Sequence, residues 1–268
     1  MYKVEGYGAI VTGGASGLGL SFVEVLAENG ARVTMLDVDP AGIDRELTRL
    51  EGLGYDVDGK VVDVTDRPAV HRAFDDIAGK YGRLDVVFAN AGIDPGPGFV
   101  GFDRKTRPSE GAIENYTDER WDKVIDTNLN SVFTTIKAAA RHMKPRNSGR
   151  IIITTSNAAL INEAAIGVAY MAAKAGAAHL MRNVAIELAK YNILVNAIAP
   201  GPFITNIGGG HAHTPKVQAA FSQVVPLHRM ASTEEMKGLA LFLASPASSF
   251  VTGAQIVIDG GMQLGVGD

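Results

Sequence analysis

A tyrosine and a lysine four residues apart, Tyr170 and Lys174, are the residues of this chain best suited to acid–base chemistry. On a helix, side chains at this spacing project from one face, one turn apart. Because the charge of an ammonium group favours the ionised form of a nearby phenol, the pair predicts a tyrosine that acts as a general base. Ser156, fourteen residues upstream of Tyr170, adds an aliphatic hydroxyl.

The same spacing also occurs by chance in many helices, as a packed aromatic residue beside a solvated charge. Here the segment from Ile166 to Lys190 is rich in alanine, contains no proline and has glycine only at positions 167 and 176, so a helix is expected. The pair gains weight because the rest of the chain supplies a nucleotide site and a second hydroxyl.

Composition limits what this chain can be. Its 268 residues, 46% of them hydrophobic, suffice for one sizeable core, and a single domain over 1–268 is expected. A net charge of −4 gives no support for nucleic-acid binding. The absence of cysteine excludes disulfides, thiol nucleophiles and thiolate metal sites. The N-terminus lacks the apolar segment of a signal peptide and no apolar run approaches ~18 residues, which predicts a cytoplasmic protein without a membrane segment.

Short apolar runs rich in β-branched residues alternate with helical stretches along most of the chain. Seven runs are predicted to be strands: 7–12, 31–36, 57–62, 84–89, 150–155, 193–198 and 255–258. Nearly continuous apolar strands separated by helices are typical of a parallel sheet covered on both faces. The expected fold class is therefore α/β, a Rossmann-type doubly wound fold with a seven-stranded parallel sheet and helices on both faces.

The turn after the first strand is rich in glycine. Its sequence is Thr12-Gly13-Gly14-Ala15-Ser16-Gly17-Leu18-Gly19. Glycines there allow a tight turn and a close approach of the backbone to a pyrophosphate, whose charge the N-terminus of the next helix favours. Because the turn lies between a predicted strand and a predicted helix, it indicates a dinucleotide site. The predicted contacts are Gly13, Ser16, Gly17, Leu18 and Gly19.

The second and third strands end in aspartates. The carboxylate of Asp37 can accept hydrogen bonds from both hydroxyls of an adenosine ribose and would repel a 2′-phosphate, so NAD is favoured over NADP. Capping of the helix that begins near Pro40, the alternative role, fits Asp39 better. Asp63 and Val64 are candidates for contact with the adenine, although Asp63 would equally cap the helix that begins at Arg67.

Small residues follow the fourth strand, Asn90-Ala91-Gly92, where they let the chain pass close to a cofactor. The segment 93–115 is too rich in proline, glycine and charge to sustain a helix or central strand, and a long loop is predicted. Such a loop is a candidate wall of the substrate site; a disordered excursion or an oligomer contact are the alternatives. Helical periodicity resumes after Thr117, the predicted N-cap, and runs to about Lys144. Asn128 lies within this helix, and composition alone gives it no role.

Taken together, these residues resemble the single-domain type of short-chain dehydrogenase/reductase, over nearly the whole chain from Thr12 to Gly261. The markers, in chain order, are the glycine-rich turn 12–19, Asn90-Ala91-Gly92, Asn128, Ser156, Tyr170 with Lys174, and Pro200-Gly201 followed by Ile204-Thr205. Their joint occurrence in this order is highly specific.

The resemblance implies a role for each marker. Tyr170 would be the acid/base, Lys174 would lower its pKa and bind the nicotinamide ribose, and Ser156 would polarise the substrate oxygen. Asn128 would hold a water molecule that links the lysine to solvent. After Pro200 and Gly201, which also belong to the cofactor site, the side chain of Thr205 and the backbone of Ile204 would bond the carboxamide. The last helix and strand, within 232–261, resemble segments that pack between subunits in relatives, so a homotetramer is expected.

Two features depart from the family pattern. The spacing from Ser156 to Tyr170 is one residue longer than the family commonly has, and the loop 93–115 is also longer than the pattern leads us to expect. The extra residue lies within 157–169, where it would reshape the substrate pocket and leave the helix intact.

The segment 202–229 contains Gly208-Gly209-Gly210 and breaks the regular periodicity, which predicts a mobile lid over the substrate. His211 and His213 alternate as metal ligands can. Because that segment contains no cysteine or carboxylate, a flexible polar lid is favoured and no metal site is predicted. Both histidines remain candidates for substrate contact.

The leading hypothesis is an NAD-dependent oxidoreductase that moves a hydride between nicotinamide and a small-molecule secondary alcohol or ketone. Small and apolar residues dominate 158–169, and Phe99, Phe102 and Phe203 are candidates to line the cleft, which predicts a largely apolar, cyclic or aromatic substrate. One alternative is an epimerase or dehydratase that retains NAD, although such relatives usually have a larger C-terminal domain. The other is an NAD-binding sensor or scaffold without turnover, a class that often lacks the tyrosine or the lysine.

Overall fold

Seven strands form one parallel sheet in the computed structural model, which describes residues 2–265. The strands are β1 (Gly8–Thr12), β2 (Arg32–Asp37), β3 (Val57–Val61), β4 (Val86–Ala89), β5 (Gly149–Thr154), β6 (Ile193–Pro200) and β7 (Gln255–Ile258). Their order across the sheet is β3-β2-β1-β4-β5-β6-β7, and every neighbouring pair is parallel. The predicted seven-stranded α/β fold is confirmed, and no strand bound differs from the prediction by more than two residues.

Eight α-helices accompany the sheet within residues 2–265. They are α1 (Gly17–Glu28), α2 (Pro40–Gly52), α3 (Arg67–Tyr81), α4 (Asp118–Ile125), α5 (Ser131–Met143), α6 (Val168–Ala189), α7 (Pro215–Ser222) and α8 (Lys237–Ala244). In this part of the chain no helix combines the length and the apolar character that a membrane crossing requires.

Two apolar cores lie on opposite faces of the sheet. One contains Phe74 of α3, Ile136 of α5 and Met181 of α6. The other contains side chains of α1, α2 and α8, among them Phe22 and Leu243. Successive strand residues point to opposite faces, so a parallel sheet with two covered faces needs apolar residues at nearly every strand position. The five residues of β1 are all buried, as this requires.

The sheet reverses its winding direction between β1 and β4. From β1 the chain proceeds outward through β2 to β3, returns to β4 beside β1, and then proceeds outward the other way to β7. Ligands of open α/β sheets bind in the crevice at the carboxyl ends of the strands next to such a reversal. The segments that follow β1, β4 and β5 therefore converge at this crevice.

The predicted helix from Thr117 to Lys144 is interrupted, which corrects the sequence-based expectation. Thr117 does cap α4, because its hydroxyl accepts a hydrogen bond from the Arg120 N–H at 3.3 Å. A π-helical turn, Asp126–Asn130, then separates α4 from α5. Single π turns inside helices often occur at functional sites. Asn128 is at the centre of this turn.

Candidate active site

The glycine-rich turn leaves donors free at the N-terminus of α1. Within residues 2–265 the Ser16 side chain makes no capping hydrogen bond, and the backbone N–H groups of Gly17, Leu18 and Gly19 find no acceptor. A Cβ atom at Gly19 would collide with the carbonyl oxygen of Gly13, and Gly13 itself has φ +65°. Glycine is therefore required at both positions, and the free N–H groups with the helix dipole suit a pyrophosphate.

Asp37, at the end of β2, stabilises this turn by a hydrogen bond. One carboxylate oxygen accepts the Ala15 N–H at 3.0 Å, and the other accepts the N–H groups of Val38 and Asp39 at 2.8 and 3.2 Å. Asp39 is the residue at the N-cap of α2, but its side chain makes no capping hydrogen bond. The carboxylate of Asp37 thus lies between the glycine turn and the end of β2, where a ribose would meet it.

Asp63 does not cap α3, so that alternative is wrong. The cap is Asp66, whose carboxylate accepts the Ala69 N–H at 3.0 Å. Asp63 instead accepts the backbone and hydroxyl groups of Thr65 on one oxygen. Val64 beside it is buried. The contact of both residues with adenine stays a prediction.

Asn90 ties three strands together. Its amide nitrogen donates to the carbonyls of Thr12 and Gly13, and its oxygen accepts the Thr154 hydroxyl at 3.0 Å. The backbone N–H groups of Asn90 and Ala91 both donate to the Thr12 hydroxyl. This network fixes the glycine turn relative to β4 and β5.

Gly92 and Asn128 hold the chain where it leaves β4. A Cβ atom at Gly92 would lie 2.6 Å from Asn128 Oδ1 and 3.3 Å from Lys174 Nζ, so the backbone passes directly by the lysine. The fully buried Asn128 donates to the Ile93 carbonyl at 2.9 Å and accepts the Ile93 N–H at 3.2 Å. The side chain of Asn128 therefore positions this backbone; a bound water molecule remains a prediction.

Ser156 follows β5 directly. Its hydroxyl accepts the Ala158 N–H at 3.1 Å and donates to Asn157 Oδ1 at 3.4 Å. The Ser156 hydroxyl is also within hydrogen-bonding reach of the Tyr170 phenol, and this interaction lowers the pKa of the phenol. The two hydroxyls that the sequence predicted to act together do converge.

Tyr170 and Lys174 project from the first turns of α6, which spans nearly the predicted range. Lys174 Nζ lies 5.5 Å from the centre of the Tyr170 ring and donates to the Thr154 carbonyl at 2.9 Å. The lysine is 3% exposed, and burial lowers its pKa to about 8. Ser156, Tyr170 and Lys174 thus meet at the carboxyl end of β5.

The pKa of Tyr170 differs from the sequence-based expectation. Burial of the phenol raises its pKa, the carboxylate of Asp94 raises it further, and only the Ser156 hydroxyl opposes them. The ammonium group of Lys174 donates to the Thr154 carbonyl, and Lys174 is not among the groups that lower the pKa of Tyr170. The prediction rested on the charge of Lys174 alone. Burial removes solvent from the phenol, which destabilises the charged phenolate and raises the pKa.

The residues after β6 line the other side of the crevice. Pro200 ends the strand, and the N–H of Gly201 donates to the Ile258 carbonyl at 2.9 Å. Thr205 lies beside the glycine turn, since a Cβ atom at Gly17 would be 3.6 Å from its side chain. The N–H of Ile204 donates to the Ala231 carbonyl at 2.9 Å, so that N–H is not available to a carboxamide. This corrects part of the predicted backbone contact.

The loop 93–115 is irregular, as predicted, but it is fastened to the site. The N–H groups of Gly98 and Val100 donate to the carbonyls of Ala165 and Ala164, shortly before α6. Arg120 of α4 donates to the carbonyls of Gly96, Pro97 and Glu110. The loop therefore forms a wall beside the segment that leads into Tyr170.

Aromatic residues predicted to line the cleft separate into two groups. Phe102 is 42% exposed and packs against Phe221 of α7 with ring centres 5.7 Å apart, so the loop meets the predicted lid. Phe203, by contrast, is buried in the core beside α1 and α8. Its backbone pairs with that of Ala231, and its contribution to the cleft stays a prediction. His213, in the lid, contacts Asn206 Oδ1 at 3.1 Å.

Two residues of the site had no role in the sequence analysis. Asp94 lies two residues beyond Gly92, and this closeness to the Asn90-Ala91-Gly92 marker is the one feature of the sequence that could have indicated a role in the site. Arg120 gave no signal, because one arginine in the first turn of a helix usually interacts with solvent.

The chain is similar to known oxidoreductases over nearly its whole length. A family model described as enoyl-(acyl carrier protein) reductase matches residues 13–263. A 3-oxoacyl-(acyl-carrier-protein) reductase of Thermotoga maritima is 35% identical over 98% of this chain and 100% of its own length. The cis-4-hydroxycyclohexanecarboxylate dehydrogenase of Sinomonas cyclohexanicum is 36% identical over 94% and 95%. A short-chain type dehydrogenase/reductase from Mycobacterium marinum superposes with a TM-score of 0.88, at 32% identity, over 97% of both chains.

Similar structures contain different cofactors. A gluconate 5-dehydrogenase from Burkholderia cenocepacia, in complex with NADP and tartrate, has a TM-score of 0.88 and 28% identity over 99% of this chain and 98% of its own. A 3-oxoacyl-(acyl-carrier protein) reductase from Brucella melitensis with bound NAD has a TM-score of 0.86 and 30% identity over 98% and 93%. A nicotinamide cofactor is common to both.

Proposed function

The chain belongs to the short-chain dehydrogenase/reductase family and is an oxidoreductase that acts on CH–OH groups, and from this premise we propose that it uses NAD to oxidise a secondary alcohol or to reduce the matching ketone. The observation that carries the proposal is the convergence of Ser156, Tyr170 and Lys174 at the carboxyl end of β5. The glycine turn beside them has the shape and the free N–H groups that a dinucleotide needs.

Each of the three residues has its own task. Tyr170 would remove the hydroxyl proton of an alcohol or return it to a ketone oxygen, in step with transfer of the hydride. Ser156 would donate a hydrogen bond to the same oxygen, on which negative charge develops during reduction. Lys174, anchored by the Thr154 carbonyl, would hold a ribose hydroxyl with its remaining N–H groups. When bound, the nicotinamide would take or supply the hydride, and its positive oxidised form favours the phenolate.

The raised pKa of Tyr170 gives the reaction a pH dependence. A phenol whose pKa lies above its ordinary value stays protonated at neutral pH, which suits it to protonate a ketone. Oxidation of an alcohol needs the phenolate, whose fraction grows with pH. We therefore expect kcat/KM for oxidation to rise above neutral pH and kcat/KM for reduction to be favoured at neutral pH.

Asp37 supports NAD as the cofactor. Its carboxylate is fixed by three backbone N–H groups at the end of β2, where it would accept hydrogen bonds from a ribose and repel a 2′-phosphate. The test compares kcat/KM with NAD and with NADP. The Asp37→Ser variant should lose its preference for NAD, whereas Asp39→Ser, which alters the neighbouring carboxylate, should retain it. Equal or better turnover of the unmodified chain with NADP would refute this assignment.

A cyclic and largely apolar alcohol is the proposed substrate class. Small side chains lead from Ser156 to Tyr170, among them Ala158, Ala164 and Ala165, and the exposed Phe102 faces the lid. The relative from Sinomonas cyclohexanicum is named for a cyclic alcohol that also carries a carboxylate, so it supports the cyclic part of this class and not its apolar character.

The deciding experiment measures formation of NADH from cyclic, aromatic, sugar and aliphatic secondary alcohols. Tyr170→Phe should bind NAD as the unmodified chain does and lose turnover by about 100- to 10,000-fold. Tyr191→Phe is the matched control, since Tyr191 lies beyond the end of α6 and its ring contacts Lys144 and Lys190. Retained activity in Tyr170→Phe would show that Tyr170 is not the acid/base. Binding of NAD without turnover of any alcohol would favour a sensor or scaffold.

We also propose a homotetramer. Large apolar side chains remain exposed on the outer helices, among them Trp121 of α4, Phe133 of α5 and Ile186 of α6, which is 80% exposed. Where such side chains form one contiguous patch, they mark an interaction surface. Light scattering after size exclusion should give four times the chain mass of 28.2 kDa; the mass of a monomer would contradict the proposal.

A further inference from the structure

A carboxylate that the mechanism above does not use lies beside the reacting residues. Asp94 is two residues beyond Gly92, whose backbone passes close to Lys174 Nζ. Both backbone groups of Ile93, the preceding residue, are hydrogen-bonded to the buried Asn128. The hydrogen bonds between Ile93 and Asn128 therefore fix the backbone next to Asp94, although Asp94 belongs to an irregular loop.

The Asp94 carboxylate has few partners of its own. One oxygen accepts the Gly96 N–H at 3.0 Å, and within residues 2–265 the other oxygen makes no hydrogen bond and no cation forms an ion pair with the group. The charge of Arg120 acts on Asp94, but its guanidinium donates to the carbonyls of Gly96, Pro97 and Glu110. A half-buried carboxylate with an unused oxygen retains the capacity to bind a donor.

The negative charge of Asp94 acts electrostatically on Tyr170 and Lys174 without a direct contact. It raises the pKa of Tyr170 and that of Lys174, yet it makes no hydrogen bond to either residue in the described chain. The loop that follows it runs along Ala164 and Ala165 toward α6. The carboxylate thus belongs to the loop that forms a wall beside the segment leading into Tyr170.

We propose that Asp94 is a specificity-determining residue, which accepts a hydrogen bond from a second donor group on the substrate, a hydroxyl or an ammonium, beside the reacting carbinol. Because like charges repel, the same carboxylate disfavours an alcohol that carries a carboxylate at that position. This inference rests on the proposed function and narrows its substrate class to cyclic alcohols with a second hydrogen-bond donor. The competing role is structural, in which Asp94 only caps the turn at Gly96.

The test compares kcat/KM for cyclohexanol and nine of its derivatives with NAD. Cyclohexanol is the reference, and its 2-, 3- and 4-substituted hydroxyl, amino and carboxylate derivatives are the probes. The variants are Asp94→Asn, whose amide oxygen still accepts the Gly96 N–H, and Asp94→Ala, which has no acceptor. Each result is expressed as the ratio of a derivative to cyclohexanol, so that a general loss of activity cancels.

In the unmodified chain, the ratio for one amino or hydroxyl isomer should exceed that of its carboxylate counterpart. In Asp94→Asn the amino ratio should fall by about tenfold or more, the size of a lost charge-assisted hydrogen bond, and the carboxylate ratio should rise. A diol should keep more of its ratio in Asp94→Asn than in Asp94→Ala. This pattern separates a hydroxyl donor from an ammonium donor.

Two results would overturn the proposal. If both variants lower activity toward all derivatives and cyclohexanol equally, Asp94 only shapes the loop or the phenol. If all the ratios are unchanged, the substrate does not meet the carboxylate. Failure of the unmodified chain to oxidise any of these cyclohexanols, while it oxidises an alcohol of another class, would instead remove the cyclic substrate class, and the inference with it.

Discussion

The two sides of the active site are built by different means. On the nucleotide side, strand ends and backbone groups bind one another: the N–H groups of Gly13 and Gly14 donate to the Leu36 carbonyl, and the Thr12 hydroxyl accepts two backbone N–H groups. On the substrate side, the loop 93–115 is irregular, and the side chains of Asn128 and Arg120 fasten it.

This difference bears on how the site can change. Where backbone packs on backbone, an added side-chain atom has no space, so the nucleotide side tolerates little substitution. Where two long side chains bind the carbonyls of a loop, the loop can be altered while the sheet stays intact. Substitutions on each side should therefore affect different measurements, the affinity for NAD on one and KM for the alcohol on the other.

Ser156→Ala acts where the two sides meet and should have the largest effect of the four variants that compare them. The variant loses the donor that faces Tyr170, and we expect kcat to fall by about 100- to 1,000-fold while the Kd for NAD is unchanged. Thr155→Ala is the control, because that hydroxyl bonds the Ile198 carbonyl and Gln255 and does not enter the site. If both variants retain full turnover, the serine has no role in the reaction.

Gly19→Ala tests the nucleotide side. The new methyl group would collide with the Gly13 carbonyl and approach the Asn90 amide at 2.6 Å, so the turn must open. We expect weaker binding of NAD, measured by calorimetry, and a loss of about 1–3 kcal/mol in the free energy of unfolding. Gly79→Ala, within α3 and with no atom near its Cβ position, should bind NAD normally and be slightly more stable. Equal NAD affinity in both variants would show that the turn is not tight.

The nucleotide side was predictable because its chemistry is local in sequence. The glycines, Asp37 and Asn90 each follow a strand, and the carboxyl ends of parallel strands meet at one edge of the sheet. The spacing of Tyr170 and Lys174 likewise depends only on one helix. In these places the residue type and the position in an element are sufficient to predict the arrangement.

The substrate side was less predictable because its contacts join distant segments. Arg120 binds carbonyls more than twenty residues earlier in the chain, and no pattern marks such a pair. The π turn around Asn128 resembles an ordinary helix in sequence. The raised pKa of Tyr170 depends on burial and on Asp94, both of which follow only from the tertiary structure.

Arg120→Ala tests the substrate side. Loss of the three carbonyl contacts should release the loop, so that KM for the alcohol rises while the Kd for NAD stays constant. Trypsin should cleave after Arg104 or Lys105 about tenfold faster, since the open form of the loop becomes more populated. Lys123→Ala, an exposed residue of the same helix, should leave both measurements unchanged. Unaltered cleavage and KM in Arg120→Ala would mean that the loop is held by other contacts.

Asp94→Asn should give the smallest effect and would sharpen the comparison, since it changes charge on the substrate side without releasing the loop. The carboxylate raises the pKa of Tyr170, so its removal should lower that pKa. Alcohol oxidation needs the phenolate, and the rise of kcat/KM with pH should therefore move to lower pH. Asp103→Asn is the matched control, because Asp103 also accepts backbone N–H groups in this loop but does not act on Tyr170. A shift toward higher pH in Asp94→Asn, or an equal shift in both variants, would contradict the assigned direction of the charge effect.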